Sequence, residues 1–125
     1  MSPRRGALLL AAGRAALGVA VLAAPERVTA GWLGARNAEL PVVGDLARSL
    51  GARDVALGVA TLQTLDDEVV GPRVQALCAL VDSVDAFATI IARKHLPRRG
   101  VIGTVAIAGG AAAGGFYFSH RIAHS

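Results

Sequence analysis

Apolar residues gather in four blocks along the chain, at about 6–24, 44–65, 73–92 and 101–119, each bounded by charge, proline or glycine. Every block is close to the ~20 residues that an α-helix needs to cross a hydrocarbon core. The first, Gly6 to Ala24, follows a basic start at Arg4 and Arg5 and is stopped by Pro25. The last, Val101 to Ser119, carries no charge and ends in Phe116, Tyr117 and Phe118, side chains of the kind that gather at a membrane interface. A helix on a soluble protein's surface needs a polar face, and this block offers almost none. The pattern predicts an all-α fold: an antiparallel bundle of four transmembrane helices, with residues 1–125 forming a single membrane domain.

The connecting stretches fit that expectation. Between the first two blocks Trp32, Leu33 and Leu40 alternate with Arg27, Arg36, Asn37 and Glu39, which predicts a short interfacial helix or loop with Trp32 at headgroup depth. Asp66, Asp67 and Glu68 make a solvated acidic turn, after which Pro72 is placed for a first helical turn. Arg93, Lys94, His95, Arg98 and Arg99 surround Pro97 and close the third block. The first block also has the outline of a secretory signal, with a small-residue site near Ala23 and Ala24, but Arg14 in its centre argues against that reading.

Composition sharpens the picture. The chain is 54% apolar yet only 4% aromatic, and 15 of its residues are glycine. Such small side chains let helix backbones approach closely in lipid, where packing rather than water exclusion drives association. Two small-residue faces stand out as helix-packing surfaces: Gly110 and Gly114 around three alanines in the last block, and Ala12 and Ala16, continued by Ala20 and Ala24, in the first. The net charge of +4 does not point to nucleic acid, because the cations are scattered or at block ends, with no finger spacing or aromatic platform beside them. Their distribution reads as a topology signal. The 93–99 cluster shares a side with Arg27 and Arg36, which places both termini away from the cytoplasm, although Arg4 and Arg5 pull the other way. The expected location is a bacterial inner or plasma membrane, with membrane lipid as the surrounding partner.

Charges inside the blocks carry the candidate chemistry. Arg14, Arg53, Asp54, Asp82 and Asp85 all fall within them, and Arg48 lies near an end. An isolated Asp or Arg at mid-membrane costs about 2.5–3.5 kcal/mol on insertion scales, so these charges are expected to neutralise one another. Asp82 and Asp85, three apart, share a helix face. The expectation is a polar cluster in which Arg14 and Arg53 face Asp82 and Asp85 and Asp54 completes the set. It either locks helix order or forms a site, with Asp82 and Asp85 as a proton-transferring pair, Arg53 and Asp54 beside them, and Arg14 and Arg48 structural or orienting substrate. No cofactor or metal is expected. Cys78 is alone, the histidines at 95, 120 and 124 lie in a basic loop and a tail, and the glycines at 109–115 lack the strand, Lys and hydroxyl of a phosphate loop.

Three functions fit these residues. One is an accessory or interaction module docking a partner helix or a second copy. Another is a cofactor-independent isomerase, cyclase or epoxide-opening enzyme acting on a lipophilic small molecule. The last is a proton-linked transport assembly. The run Gly51-Ala52-Arg53-Asp54-Val55-Ala56-Leu57-Gly58, after a first helix ending in Ala23-Ala24-Pro25, resembles an uncharacterised family of small four-helix membrane proteins common in actinobacteria and fungi, a domain of unknown function. That resemblance implies four spans, with Arg53 and Asp54 at the family's characteristic polar position, and supplies no reaction or cofactor.

Overall fold

A computed structural model describes residues 2–125; Met1, at the head of the basic start, lies outside them. The described residues form six α-helices and no strand: α1 (Pro3–Ala23), α2 (Pro25–Leu33), α3 (Ala35–Ala38), α4 (Pro41–Thr64), α5 (Val70–Ile91) and α6 (Arg98–Ala123), with a 3-10 turn at Arg93–His95. Helix starts follow local chemistry. Ser2 caps α1 by accepting the Arg5 N–H at 3.2 Å, and prolines whose missing N–H costs nothing there open α1, α2 and α4. Asp67 accepts the N–H groups of Val69 and Val70 at 2.9 and 2.7 Å, which holds its carboxyl below the usual aspartate range and secures the entry to α5.

Three helices, α1, α5 and α6, are long and apolar enough to cross a membrane. The block expected at 44–65 is a helix, but it falls outside that group. It has the length, at 24 residues, yet Asp45, Arg48, Arg53 and Asp54 interrupt its apolar run. The stretch expected to be one interfacial segment is two helices, broken at Gly34, whose φ of +91° lies where a side chain would be strained.

The long helices pack through small residues. A Cβ built on Gly18 would lie 2.6 Å from the Gly51 carbonyl oxygen, and one on Gly58 would lie 2.9 Å from that of Ala11. The backbones of α1 and α4 are therefore in contact, and because numbers rise along one as they fall along the other, the two run antiparallel. On α6, a Cβ at Gly115 would come within 2.9 Å of Ala79 on α5, and the Ser119 hydroxyl donates to the Pro72 carbonyl at 2.7 Å. The α1–α6 contact is confined to one end, where Phe118 covers Gly6 and Leu10 reaches Gly114. Toward the other end the two helices part, and α2 fills the gap by laying the Trp32 carbonyl against Gly100.

Two expected packing faces differ from the observed ones. Ala12 and Ala16 are exposed, because α1 turns Ala7, Ala11, Gly18 and Val21 inward instead. Around Gly110 no atom comes within 4 Å of an added Cβ, and Gly114 makes only ordinary contacts, at 3.7 and 4.0 Å, with Phe118 and Leu10. The whole molecule inverts the usual soluble arrangement. Its buried apolar residues are mostly alanine, and its largest fully buried side chain is Gln75. Its big apolar groups point outward, with Ile91 66%, Phe87 65% and Leu46 62% exposed.

Candidate functional site

Three helices bring five ionisable side chains to one place. Arg14 comes from α1, Arg53 and Asp54 from α4, and Asp82 and Asp85, one helical turn apart, from α5. Arg14 donates through Nη2 to Asp82 Oδ2 and through Nη1 to Asp54 Oδ1, the latter at 3.4 Å. Arg53 donates to both oxygens of Asp85, at 2.7 and 3.3 Å, and to Asp54 Oδ1 at 3.3 Å. The result is a chain of alternating sign, Asp82, Arg14, Asp54, Arg53, Asp85, in which each guanidinium bridges two carboxylates. The Asp82–Arg14–Asp54 end is buried, with side chains 8–12% exposed, whereas Arg53 and Asp85 are about a third and a quarter exposed.

The sum of this chain is not zero. Three carboxylates meet two guanidinia, which leaves one unit of negative charge when all five ionise. The hydrogen bonds are also incomplete: among the described residues Asp82 Oδ1 and Asp54 Oδ2 have no donor, and the buried Arg53 Nε has no acceptor.

Those carboxylates face a cavity of about 630 Å³, partly open, between α1, α2 and α6. Its volume lies within the ~300–1,000 Å³ common for small-molecule sites. Arg14, Asp54, Asp82 and Asp85 form its polar wall, while Leu9, Leu17, Val21 and Ile107 give it apolar sides. It exists for two reasons. The first is the parting of α1 and α6. The second is that Gly13, Gly31, Gly103 and Gly110 all line it and have nothing within 4 Å of an added Cβ, so the space is where their side chains would be. Trp32 and Thr104 also line the cavity, as does the exposed Arg99 at the start of α6. Trp32 Nε1 is a buried donor with no acceptor among the described residues.

Other residues singled out in the sequence lie elsewhere. Arg48 is not joined to the network; it approaches Asp45 at 3.9 Å on an exposed face, one helical turn away along the same helix. Cys78 is buried against the Thr61 hydroxyl, which itself donates to the Leu57 carbonyl. Among the described residues no three of His, Cys, Asp and Glu come together as metal ligands. The sequence reading missed Trp32, Thr104 and the glycines at 13, 31 and 103 as site-lining residues. A signal for the glycines was present: Gly13 shares a helix face with Leu9 and Leu17, and Gly103 shares one with Ile107 and Gly110. No family model matches the chain, and no curated protein or solved structure is significantly similar to it, so the site is read from its geometry alone.

Proposed function

We propose that the chain is a multi-pass membrane protein in which α1, α4, α5 and α6 cross the bilayer as an antiparallel four-helix bundle, with α2 and α3 at the interface, and that its cavity receives a lipophilic small molecule beside the Arg/Asp network. The observation that carries the ligand reading is the 630 Å³ cavity, walled by Leu, Val and Ile on one side and by paired carboxylates on the other. The outward placement of large apolar side chains supports the membrane setting. Charges on α4 do not bar it from the bilayer, because Arg53 pairs with Asp85 of α5 and Asp54 with Arg14 of α1, and only Asp45 and Arg48 lie outside the network, nearer the start of the helix. The end bearing Arg27, Arg36, Arg93, Lys94, Arg98 and Arg99 is then cytoplasmic.

What the site does chemically follows from the same wall. A carboxyl in an apolar pocket, held by a guanidinium, binds a polar headgroup or moves a proton to it, and needs no cofactor for either. The exposed Ala12 and Ala16 face favours a second reading, in which α1 docks a partner helix as an accessory module.

Purification in mild detergent followed by solvent extraction and mass spectrometry tests the ligand reading. The wild type is expected to retain a lipophilic compound in near-stoichiometric amount. The Gly103→Leu/Gly110→Leu double variant is expected to lose it while keeping its helical circular dichroism, because both added side chains enter open space. Identical extracts from both proteins would contradict the reading.

A further inference from the structure

We infer that the molecule received by the cavity is a lipophilic monocation: an apolar body bearing one positive group, a protonated amine or a quaternary centre, that seats beside Asp82 and Asp54. The inference rests on the cavity being a ligand site, as proposed above, and adds the ligand's charge.

The charges of the network do not balance. The alternating chain starts and ends on a carboxylate, so its two guanidinia leave one negative charge over. At the Asp85 end both oxygens are taken by Arg53. Unused acceptor capacity lies at the buried end, on Asp82 Oδ1 and Asp54 Oδ2, and both residues line the cavity. A surplus negative charge in an apolar surrounding is costly, and a proton or a cation removes that cost. A proton satisfies the charge but occupies no volume, whereas Asp82 and Asp54 line 630 Å³ of leucine-, valine- and isoleucine-walled space. An amphiphilic cation satisfies both.

The charged groups that face this spot from the surrounding elements are few. They are Arg14 of α1, Asp54 and its partner Arg53 of α4, Asp85 of α5 and Arg99 of α6; α2 contributes Val28, Gly31 and Trp32, none of them charged. Both guanidinia of the network are already engaged by carboxylates. Arg99 is the remaining cation, and it is exposed at the first turn of α6, where water and headgroups screen it. An anionic ligand would have to approach the surplus negative charge. A neutral one would leave it unpaired.

Trp32 makes the test direct, because it is the one tryptophan of the chain and lines the cavity. In liposomes of a zwitterionic lipid, Trp32 fluorescence is titrated with tetraphenylphosphonium and with neutral triphenylphosphine, an uncharged relative with one phenyl group fewer. The wild type is expected to give a saturable change with the cation. Asp82→Asn, and independently Asp54→Asn, are expected to raise the concentration needed by about tenfold or more, the loss that one charge-assisted contact implies. Because lipid and probe are the same for each protein, partitioning cancels. The phosphine is expected to respond alike in wild type and both variants, and Gly103→Leu/Gly110→Leu is expected to abolish both responses.

Each other outcome has a definite meaning. If the phosphine saturates Trp32 at the same or lower concentration in the lipid than the cation, or if neither Asn variant shifts the cation titration, the ligand's charge is wrong while the cavity reading stands. If neither probe perturbs Trp32 saturably in the wild type, both fall. Expressed as probe concentration within the lipid, measured for each probe with protein-free liposomes, the comparison of the two probes in wild type requires no variant, so it decides the matter even where an Asn variant does not fold.

Discussion

Arg14→Met is expected to destabilise the protein by about 3–5 kcal/mol, the usual cost of removing one partner from a buried ion pair. Among the described residues Arg14 is the one cation that touches Asp82, and it also shares Asp54 with Arg53. Its loss strips Asp82 of its partner and leaves the network with three carboxylates and one guanidinium. Methionine matches much of the stem's volume, so the effect reads charge rather than a void. Adding Asp82→Asn is expected to recover much of the loss, because it removes the stranded carboxylate. Thermal or dodecyl-sulfate unfolding of the purified protein, followed by circular dichroism, measures the coupling between the two positions as a double-mutant cycle. Additive single effects would show that the pair does not work as a unit.

The second large effect is expected at Gly18. Leucine there drives a Cβ to 2.6 Å from the Gly51 carbonyl oxygen and 2.8 Å from the Val55 nitrogen, and neither backbone atom can swing aside as a side chain would. Overpacking of this kind costs about 1–3 kcal/mol or more, and here it separates α1 from α4 along their shared face. Arg14, one turn before Gly18 on α1, would be carried away from Asp54. Gly110→Leu is the matched control. It changes the same residue type by the same volume but enters open space, so its unfolding midpoint is expected to stay within the ~0.5 kcal/mol typical of a neutral substitution. Equal behaviour of the two variants would mean that α1 and α4 do not touch where described.

The contrast between those glycines shows what the sequence reveals and what it withholds. Helices were legible because long apolar runs end at proline, glycine and charge, as at Pro25, Pro41 and Pro97. The ion pairs were legible because charges such as Arg14 and Asp82, set in apolar stretches, must find partners of opposite sign. Which partner each would take was not legible: Arg53 pairs with Asp85, Arg14 with Asp82, and Asp54 joins the two arginines. That assignment depends on helix rotation, which one residue of offset changes by about 100°.

The same offset explains the small-residue faces. A run of alanine and glycine announces a smooth surface but not what lies against it. In α1 the inward residue is Ala11, not its neighbour Ala12, and in α6 it is Gly115, not Gly114 or Gly110. The glycines that bring α1 and α4 together, Gly51 and Gly58, are seven apart on one face of α4, and they bracket Arg53 and Asp54. One short run thus brings two helices into contact and supplies two of the five network residues. The cavity left no single mark in the sequence. It arises where α1 and α6 diverge and α2 wedges between them, a feature of three elements distant along the chain.

Placement of the ion-pair network in hydrocarbon is the central claim, and extraction tests it most directly. Membranes from cells expressing the full chain are washed with alkaline carbonate, then with detergent. The protein is expected to stay with the lipid through the first wash and leave it only in the second. Release by carbonate, with the protein recovered as a helical monomer in buffer free of detergent, would contradict the central claim.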